Sequence, residues 1–155
     1  MNMHRNVNLN VDTSRGRYTI STDPQQLDSV AIHAFLSQSY WSPGIPLKTV
    51  ERAIANSLCF GIFQETDQIG FARVITDKAT FAYLADVYVL ESHRGQGLAK
   101  WLMEVITAHE ALQNMRRFML VTRDGHGLCK KFGFAEQANP SRTMEILNPD
   151  VYKAG

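Results

Sequence analysis

Two cysteines in 155 residues, Cys59 and Cys129, are too few and too far apart to form a disulfide framework, and they make no CxxC pair. They point to reduced thiols in a reducing compartment, with a single bridge as the alternative. Charge of one sign is lacking too. Sixteen Lys and Arg stand against fifteen Asp and Glu, without a long run of either. A dedicated nucleic-acid binder needs a basic field, so that class is disfavoured. No apolar stretch approaches the roughly 18 residues of a membrane span, and Met1 to Arg17 is too polar for a signal peptide. Internal repeats, low-complexity tracts and interdomain linkers are absent as well. What is present is an ordinary globular composition, 45% apolar and 20% charged. A chain of this length buries roughly 70% of its unfolded surface as one domain and needs neither disulfide nor structural metal. The expectation is a soluble cytoplasmic protein with no metal, no membrane contact and no nucleic-acid partner.

Hydrophobic periodicity organises the chain. Residues 1–16 are rich in Asn, Arg and Asp and read as a mobile arm, leaving 17–155 as the single domain. Tyr18 to Ser21 is a short strand. Thr22-Asp23-Pro24 with Gln25 and Gln26 has the residues of a capped helix start, and Leu27, Val30, Ala31, Ala34 and Phe35 follow at the spacing of one helical face. Tyr40-Trp41-Ser42-Pro43-Gly44 ends that helix, and Pro46 opens a second one. Cys59 to Gln64 and Ile69 to Ile75 form a hairpin about the turn Glu65 to Gln68. Phe81 to Leu90 carries apolar residues on both faces, as a central strand requires. A helix follows from about Gly95 to Leu112, then a strand from Phe118 to Thr122. A short helix runs from Gly125 to Phe132 with Gly133 as its C′ residue, and a last strand from Thr143 to Leu147. The order is β-α-α-β-β-β-α-β-α-β, an α/β arrangement in which helices flank a mixed sheet. The crossover from Phe81 to Thr122 makes its two strands parallel and its hand right-handed.

Chemistry is concentrated where the central strand ends. Val87-Tyr88-Val89 runs through Leu90-Glu91-Ser92-His93 into Arg94-Gly95-Gln96-Gly97, and a helix begins at once with Leu98-Ala99-Lys100. A glycine loop at a helix N-terminus presents several N–H groups to one point and adds the positive end of the helix dipole, which suits a phosphate or pyrophosphate. Glycine lets the backbone approach a ligand where a Cβ would collide, and Arg94 can add a charge-assisted bond. A tight strand-to-helix turn would use the same two glycines. The dinucleotide fingerprint GxGxxG fails because Lys100 occupies its third glycine position, and GxxxxGK[ST] has no match.

The segment Arg94-Gly95-Gln96-Gly97-Leu98-Ala99 resembles the Q/R-x-x-G-x-G/A signature of the GNAT superfamily of N-acetyltransferases, and Leu128-Cys129-Lys130-Lys131-Phe132-Gly133-Phe134 resembles that family's L-Y-E-K-x-G-F segment. The element order agrees with its fold over roughly 18–147. The resemblance implies a mostly antiparallel sheet with a V-shaped splay and acetyl-coenzyme A as cosubstrate. It further implies that Val87, Tyr88 and Val89 pair with the pantetheine arm. Arg94, Gly95, Gln96, Gly97, Leu98, Ala99 and Lys100 would hold the pyrophosphate, and Asp124 to Cys129 would lie along the far side of the cofactor. The implied activity is acetyl transfer to a primary amine of a small molecule or peptide, by direct attack in a ternary complex. Dimers are common in the family, so a homodimer is an expectation.

Acetyl transfer from a thioester requires deprotonation of the amine, stabilisation of an oxyanion and protonation of the leaving thiolate. The family often uses the Tyr of L-Y-E-K for the last step; here Cys129 stands in its place. A thiol can donate a proton, and it is also common packing material, so Cys129, Tyr88 and water remain alternative acids. His126 is a general base or a positioning residue at a helix start, and Asp124 is that helix's simplest cap. Asp86 interrupts an apolar strand, where a lone carboxylate is costly to bury. It is either a proton acceptor for the amine or the ion-pair partner of Arg73, an equally odd charge in Phe71-Ala72-Arg73-Val74-Ile75. Facing a cleft, Asp86 would favour a cationic amine and Arg73 an acceptor that also bears a carboxylate. Tyr83, on the strand of Asp86, joins this candidate acceptor set. Trp41, between the first two helices, either walls the acceptor site or anchors its loop on the core. A non-catalytic acyl-coenzyme A sensor, or a nucleotide-binding module, would use the same loop.

Overall fold

The computed structural model describes residues 10–153. Six strands form one sheet in chain order: β1 (Asp12–Arg15), β2 (Tyr18–Ser21), β3 (Leu58–Gln64), β4 (Asp67–Thr76), β5 (Phe81–Val89) and β6 (Arg117–Leu120). Neighbouring strands are antiparallel except β5 and β6, which are parallel. Helices α1 (Ser29–Leu36) and α2 (Leu47–Ala55) lie between β2 and β3. Helix α3 (Leu98–Ala108) makes the crossover from β5 to β6, and α4 (His126–Lys130) follows β6.

Each face of the sheet has its own core, and residue parity along the strands decides which residue joins which. Ile20, Phe60, Ile62, Val74, Ala82 and Leu84 pack against Leu98, Leu102 and Ile106 of α3. Cys59, Phe71 and Tyr88 turn the other way and pack against Ile32, Leu36 and Val50 of α1 and α2. Strands β3 to β5 are therefore apolar on both faces, as buried central strands require.

Four sequence expectations need correction. Asp12–Arg15, placed in a mobile arm, pairs residue for residue with β2 from Asp12↔Ser21 to Arg15↔Tyr18, because the Gly16 turn reverses the chain; residues 1–9 of that arm lie outside the described residues. Asp23 caps only a single 3₁₀ turn, Pro24–Gln26, by accepting from the Gln25 N–H; the α-helix starts later, where the Asp28 carboxylate accepts from the Ala31 N–H at 3.0 Å. The crossover helix begins at Leu98, since Gly95 and Gly97 have left-handed φ of 80° and 75°, and it gives way after Ala108 to a 3₁₀ turn at Glu110–Leu112. Thr143–Leu147 is not a strand. It pairs with nothing in the sheet, and Met144 and Ile146 stand in solvent. Thr143 and Met144 line the groove along β6, but the segment makes no ladder with that edge.

Two backbone features of β5 create the site. Only Phe81–Leu84 pairs with β6, so among the described residues Ala85–Val89 has no strand on that side and the sheet splays open as the family resemblance implies. Opposite β4 the register jumps from Arg73↔Ala85 to Phe71↔Tyr88, leaving Asp86 and Val87 to oppose Ala72 alone. That is a β-bulge, and Asp86 sits in it at φ 57°. A non-glycine residue there costs about 1 kcal/mol, strain of the kind found at functional sites.

Candidate active site

The loop after β5 is built to leave donors free. Leu90 closes the strand with its N–H on the Ile69 carbonyl at 2.8 Å, and a 3₁₀ turn over Glu91–His93 redirects the chain. Among the described residues no backbone N–H from Gly95 to Lys100 donates to a protein acceptor; the first that does is Trp101, to the Gly97 carbonyl at 3.0 Å. A Cβ built on Gly95 or Gly97 would meet nothing within 4 Å, so the space before these amides is open. Free N–H groups, the α3 dipole and that open space form a cradle that fits a diphosphate. Lys100 is exposed beside it, while Leu98 is buried and Ala99 half-buried against the core, so these two contribute their N–H groups and not their side chains.

Three side chains fix the loop from behind. The Arg94 ε N–H donates to the Val89 carbonyl at 2.9 Å, which ties the guanidinium to the strand end. The Tyr18 hydroxyl lies 2.8 Å from His93 Nδ1 and donates to Gln96 Oε1 at 3.4 Å. Gln96 is thus held by its side chain and offers its N–H outward. The Tyr18 and His93 roles were not foreseen, because 75 residues separate the pair in sequence and no local pattern links them.

At the other end of the open edge the bulge collects the polar side chains. Asp86 Oδ2 accepts from Arg73 Nε at 2.8 Å, with side-chain exposures of only 12% and 18%, and its Oδ1 accepts from the Trp41 indole N–H at 2.9 Å. Arg73 also donates from Nη1 to the Ser57 hydroxyl at 3.3 Å. Of the two readings open for Asp86, the ion pair is the one found. The Trp41 indole N–H anchors its loop to Asp86, and the residue is 40% exposed. Tyr40 meets Trp41 edge to face at 5.0 Å, and Arg123, from the loop after β6, lies 3.9 Å over the Tyr40 ring. Tyr83 pairs across from Ile75, two positions along β4 from Arg73, and so shares the face of the Arg73 side chain.

Other candidates lie elsewhere. Tyr88 is buried, with its ring stacked on Phe35 at 3.9 Å and packed among the α1 and α2 core. Burial, and secondarily the Asp28 charge, push its phenol well above the usual range. Its ring is committed to the core, so its backbone is the part that lies along the open edge. Cys129 and His126 line a groove of about 870 Å³ along the outer side of β6 together with Lys130, away from the Asp86 corner. Desolvation raises the Cys129 thiol, which keeps it protonated and makes it a poor nucleophile. Asp124 does not cap α4: Gly125 holds the N-cap position, its N–H donates to the Thr122 hydroxyl at 2.8 Å, and Asp124 is exposed beside Arg123. Among the described residues no group of His, Cys, Asp and Glu could hold a metal ion, and no helix is long and apolar enough to cross a membrane.

A splayed strand, a bulge at its centre and an N–H cradle at its end define a GNAT-type acyl-transfer scaffold. The sequence profile of the Acetyltransferase (GNAT) domain matches residues 55–136. A Gibberella zeae protein named as an acetyltransferase is 35% identical over 142 residues, 77% of this chain and 79% of its own length. A Xanthomonas campestris pv. campestris crystal structure described as a GNAT-family acetyltransferase superposes with a TM-score of 0.87 at 48% identity, covering 91% of this chain and all of that one. A Clostridium acetobutylicum acetyltransferase solved with acetyl-coenzyme A shares the fold at 17% identity, with a TM-score of 0.61 over 84% of this chain and 94% of that one. The chain belongs to the GNAT acetyltransferase family.

Proposed function

We propose that the protein transfers the acetyl group of acetyl-coenzyme A to a primary amine by direct attack with both substrates bound. The observation that carries this reading is the continuity of the open β5 edge with the free amides of Gly95–Lys100. Such a surface matches a molecule that is an amide chain at one end and a diphosphate at the other. Ala85–Val89 would pair with the pantetheine amides as an added strand, and the loop amides, with Lys100 nearby, would hold the phosphates. Bound there, acetyl-coenzyme A supplies an activated thioester.

The chain's own residues then select and orient the acceptor. Asp86 has both oxygens occupied and its charge offset by Arg73, so it orients an arriving amine through the local field of the pair, in place of collecting its proton. Arg73 sets a cation beside that carboxylate, which favours acceptors carrying an anionic group as well as the amine. Tyr40, Trp41 and Arg123 form the outer wall and shield the site from water.

Isothermal titration with acetyl-coenzyme A, followed by thiol release across an amine panel, tests the reading. Submillimolar binding and turnover with at least one amine are expected, with amino acids ahead of simple alkylamines. No binding at millimolar ligand would overturn it, and binding without thiol release for any amine would remove the catalytic part.

A further inference from the structure

A cation and an aromatic ring meet across the open half of β5. Beyond the Leu84↔Leu120 pair the chain after β6 leaves its neighbour, and Arg123 stands three residues past that point. Asp86 lies two residues past it on β5, held to the α1–α2 loop by the Trp41 indole N–H at 2.9 Å. Tyr40 meets Trp41 edge to face, and the Arg123 guanidinium lies 3.9 Å over the Tyr40 ring. Asp86, Trp41, Tyr40 and Arg123 thus form a continuous row from the bulge to the far lip of the gap.

The cations at the two ends of this row differ in what they can still bind. Arg73, at the Asp86 end, is mostly buried and donates from Nε to Asp86 and from Nη1 to the Ser57 hydroxyl. Arg123, at the other end, is exposed. Its carboxylate neighbour, Asp124 at 3.8 Å, is exposed as well, and a pair so open to water is weak. A guanidinium resting on a ring face keeps the in-plane N–H fork that matches a carboxylate with two parallel bonds. The ring also restricts the side chain beforehand, so less freedom is lost when an anion arrives.

We propose that Arg123, seated on Tyr40, is the specificity-determining residue that binds the carboxylate of an amino-acid acceptor, with the amine directed toward Asp86. This role rests on the acetyl-transfer reading and names the group that recognises the acceptor's acid. Arg73 contributes to the local field, but its Nε and Nη1 are committed to protein oxygens, so the direct bond falls to Arg123. The partly exposed rings of Trp41 and Tyr40 between the two ends suit the hydrocarbon part of such a molecule. A simple alkylamine would lie along the same rings and leave Arg123 unused.

Steady-state thiol release with α- and ω-amino acids, each beside its own amide, tests the role. The wild-type chain should favour the acid at least tenfold in kcat/KM in one series or more, the discrimination of a charge-assisted bond. Arg123→Met should bring that ratio close to one, with the loss falling on the KM of the acid far more than on kcat. Arg123→Lys keeps the charge without the fork and should retain part of the ratio, and Tyr40→Leu should lower it severalfold. Equal treatment of acid and amide by the wild type overturns the proposal, as does a ratio that Arg123→Met leaves intact. Trp41 gives a readout without turnover, since it is exposed whereas Trp101, the other tryptophan, is buried. With coenzyme A present, the acids should perturb its emission at lower concentration than the amides in the wild type but not in Arg123→Met. That difference without acetylation of any amine would sink the transfer reading and leave the carboxylate site standing. No difference in emission, with or without turnover, removes the carboxylate site.

Discussion

The loop of free amides and the Asp86 corner sit at opposite ends of the open half of β5, and they keep their polar groups in opposite states. From Gly95 to Lys100 the backbone donors are unspent, and the loop gains its rigidity from behind, through Tyr18, His93 and Arg94. At Asp86 every strong polar atom is already paired within the protein: one oxygen on Arg73, the other on Trp41. The first site is prepared to receive charge, whereas the second is a neutralised pair that positions what arrives. The difference follows from burial. Exposed amides can wait for a ligand in water, but a carboxylate that is 12% exposed has to be compensated when the chain folds.

The largest effect should therefore fall on the corner. Asp86→Asn keeps the shape and tolerates the left-handed backbone, but it leaves the half-buried Arg73 charge without its carboxylate, with the Ser57 hydroxyl as its remaining partner. A loss of about 3 kcal/mol in denaturant-measured stability is expected, and adding Arg73→Met should recover most of it. A loss below about 1 kcal/mol, the range of exposed ion pairs, would make the two ends of the site alike and break the comparison.

The cradle should respond in the opposite way, losing ligand and keeping stability. Gly97→Glu places a carboxylate in the open space before the loop amides, where a diphosphate would otherwise sit. Acetyl-coenzyme A affinity should fall at least a hundredfold, about 2.7 kcal/mol by calorimetry. The stability change should be only the roughly 1 kcal/mol that a side chain needs to hold φ 75°. Unchanged affinity would remove the loop from the binding site.

This asymmetry also explains what could be read from the sequence. The cradle is made of consecutive backbone groups, so Arg94 to Lys100 announce it through glycine spacing and the switch from strand to helix period. The splay was legible only through family resemblance, since no residue spells out that β6 ends four pairs into β5. The corner joins Trp41, Ser57, Arg73 and Asp86 across as many as 45 positions. Sequence exposed the oddity of two charges in apolar strands but left their pairing and their role as alternatives. Thr143–Leu147 failed for a different reason. Alternation states that a segment prefers to pair and gives no information on whether the chain lays that segment along an edge.

The smallest effect concerns how dry the corner is underneath. Cys59 lies at 4% exposure directly across the sheet from Arg73, in register Cys59↔Arg73. Burial pushes its thiol from 9.0 up to about 12, with Arg73 pulling it down and Asp86 pushing it up to lesser degrees. A raised thiol pKa means that the folded state keeps a proton the unfolded chain releases. The associated stability is therefore complete below about pH 9 and disappears between pH 9 and 12. Between pH 8 and pH 10 the loss should be on the order of 1 kcal/mol. Cys59→Ala lowers the baseline by leaving a small cavity, but it should flatten that alkaline slope. An unaltered slope in Cys59→Ala would mean that water reaches the sulfur, and then the Arg73–Asp86 pair above it would be as solvated as the loop at the other end of β5.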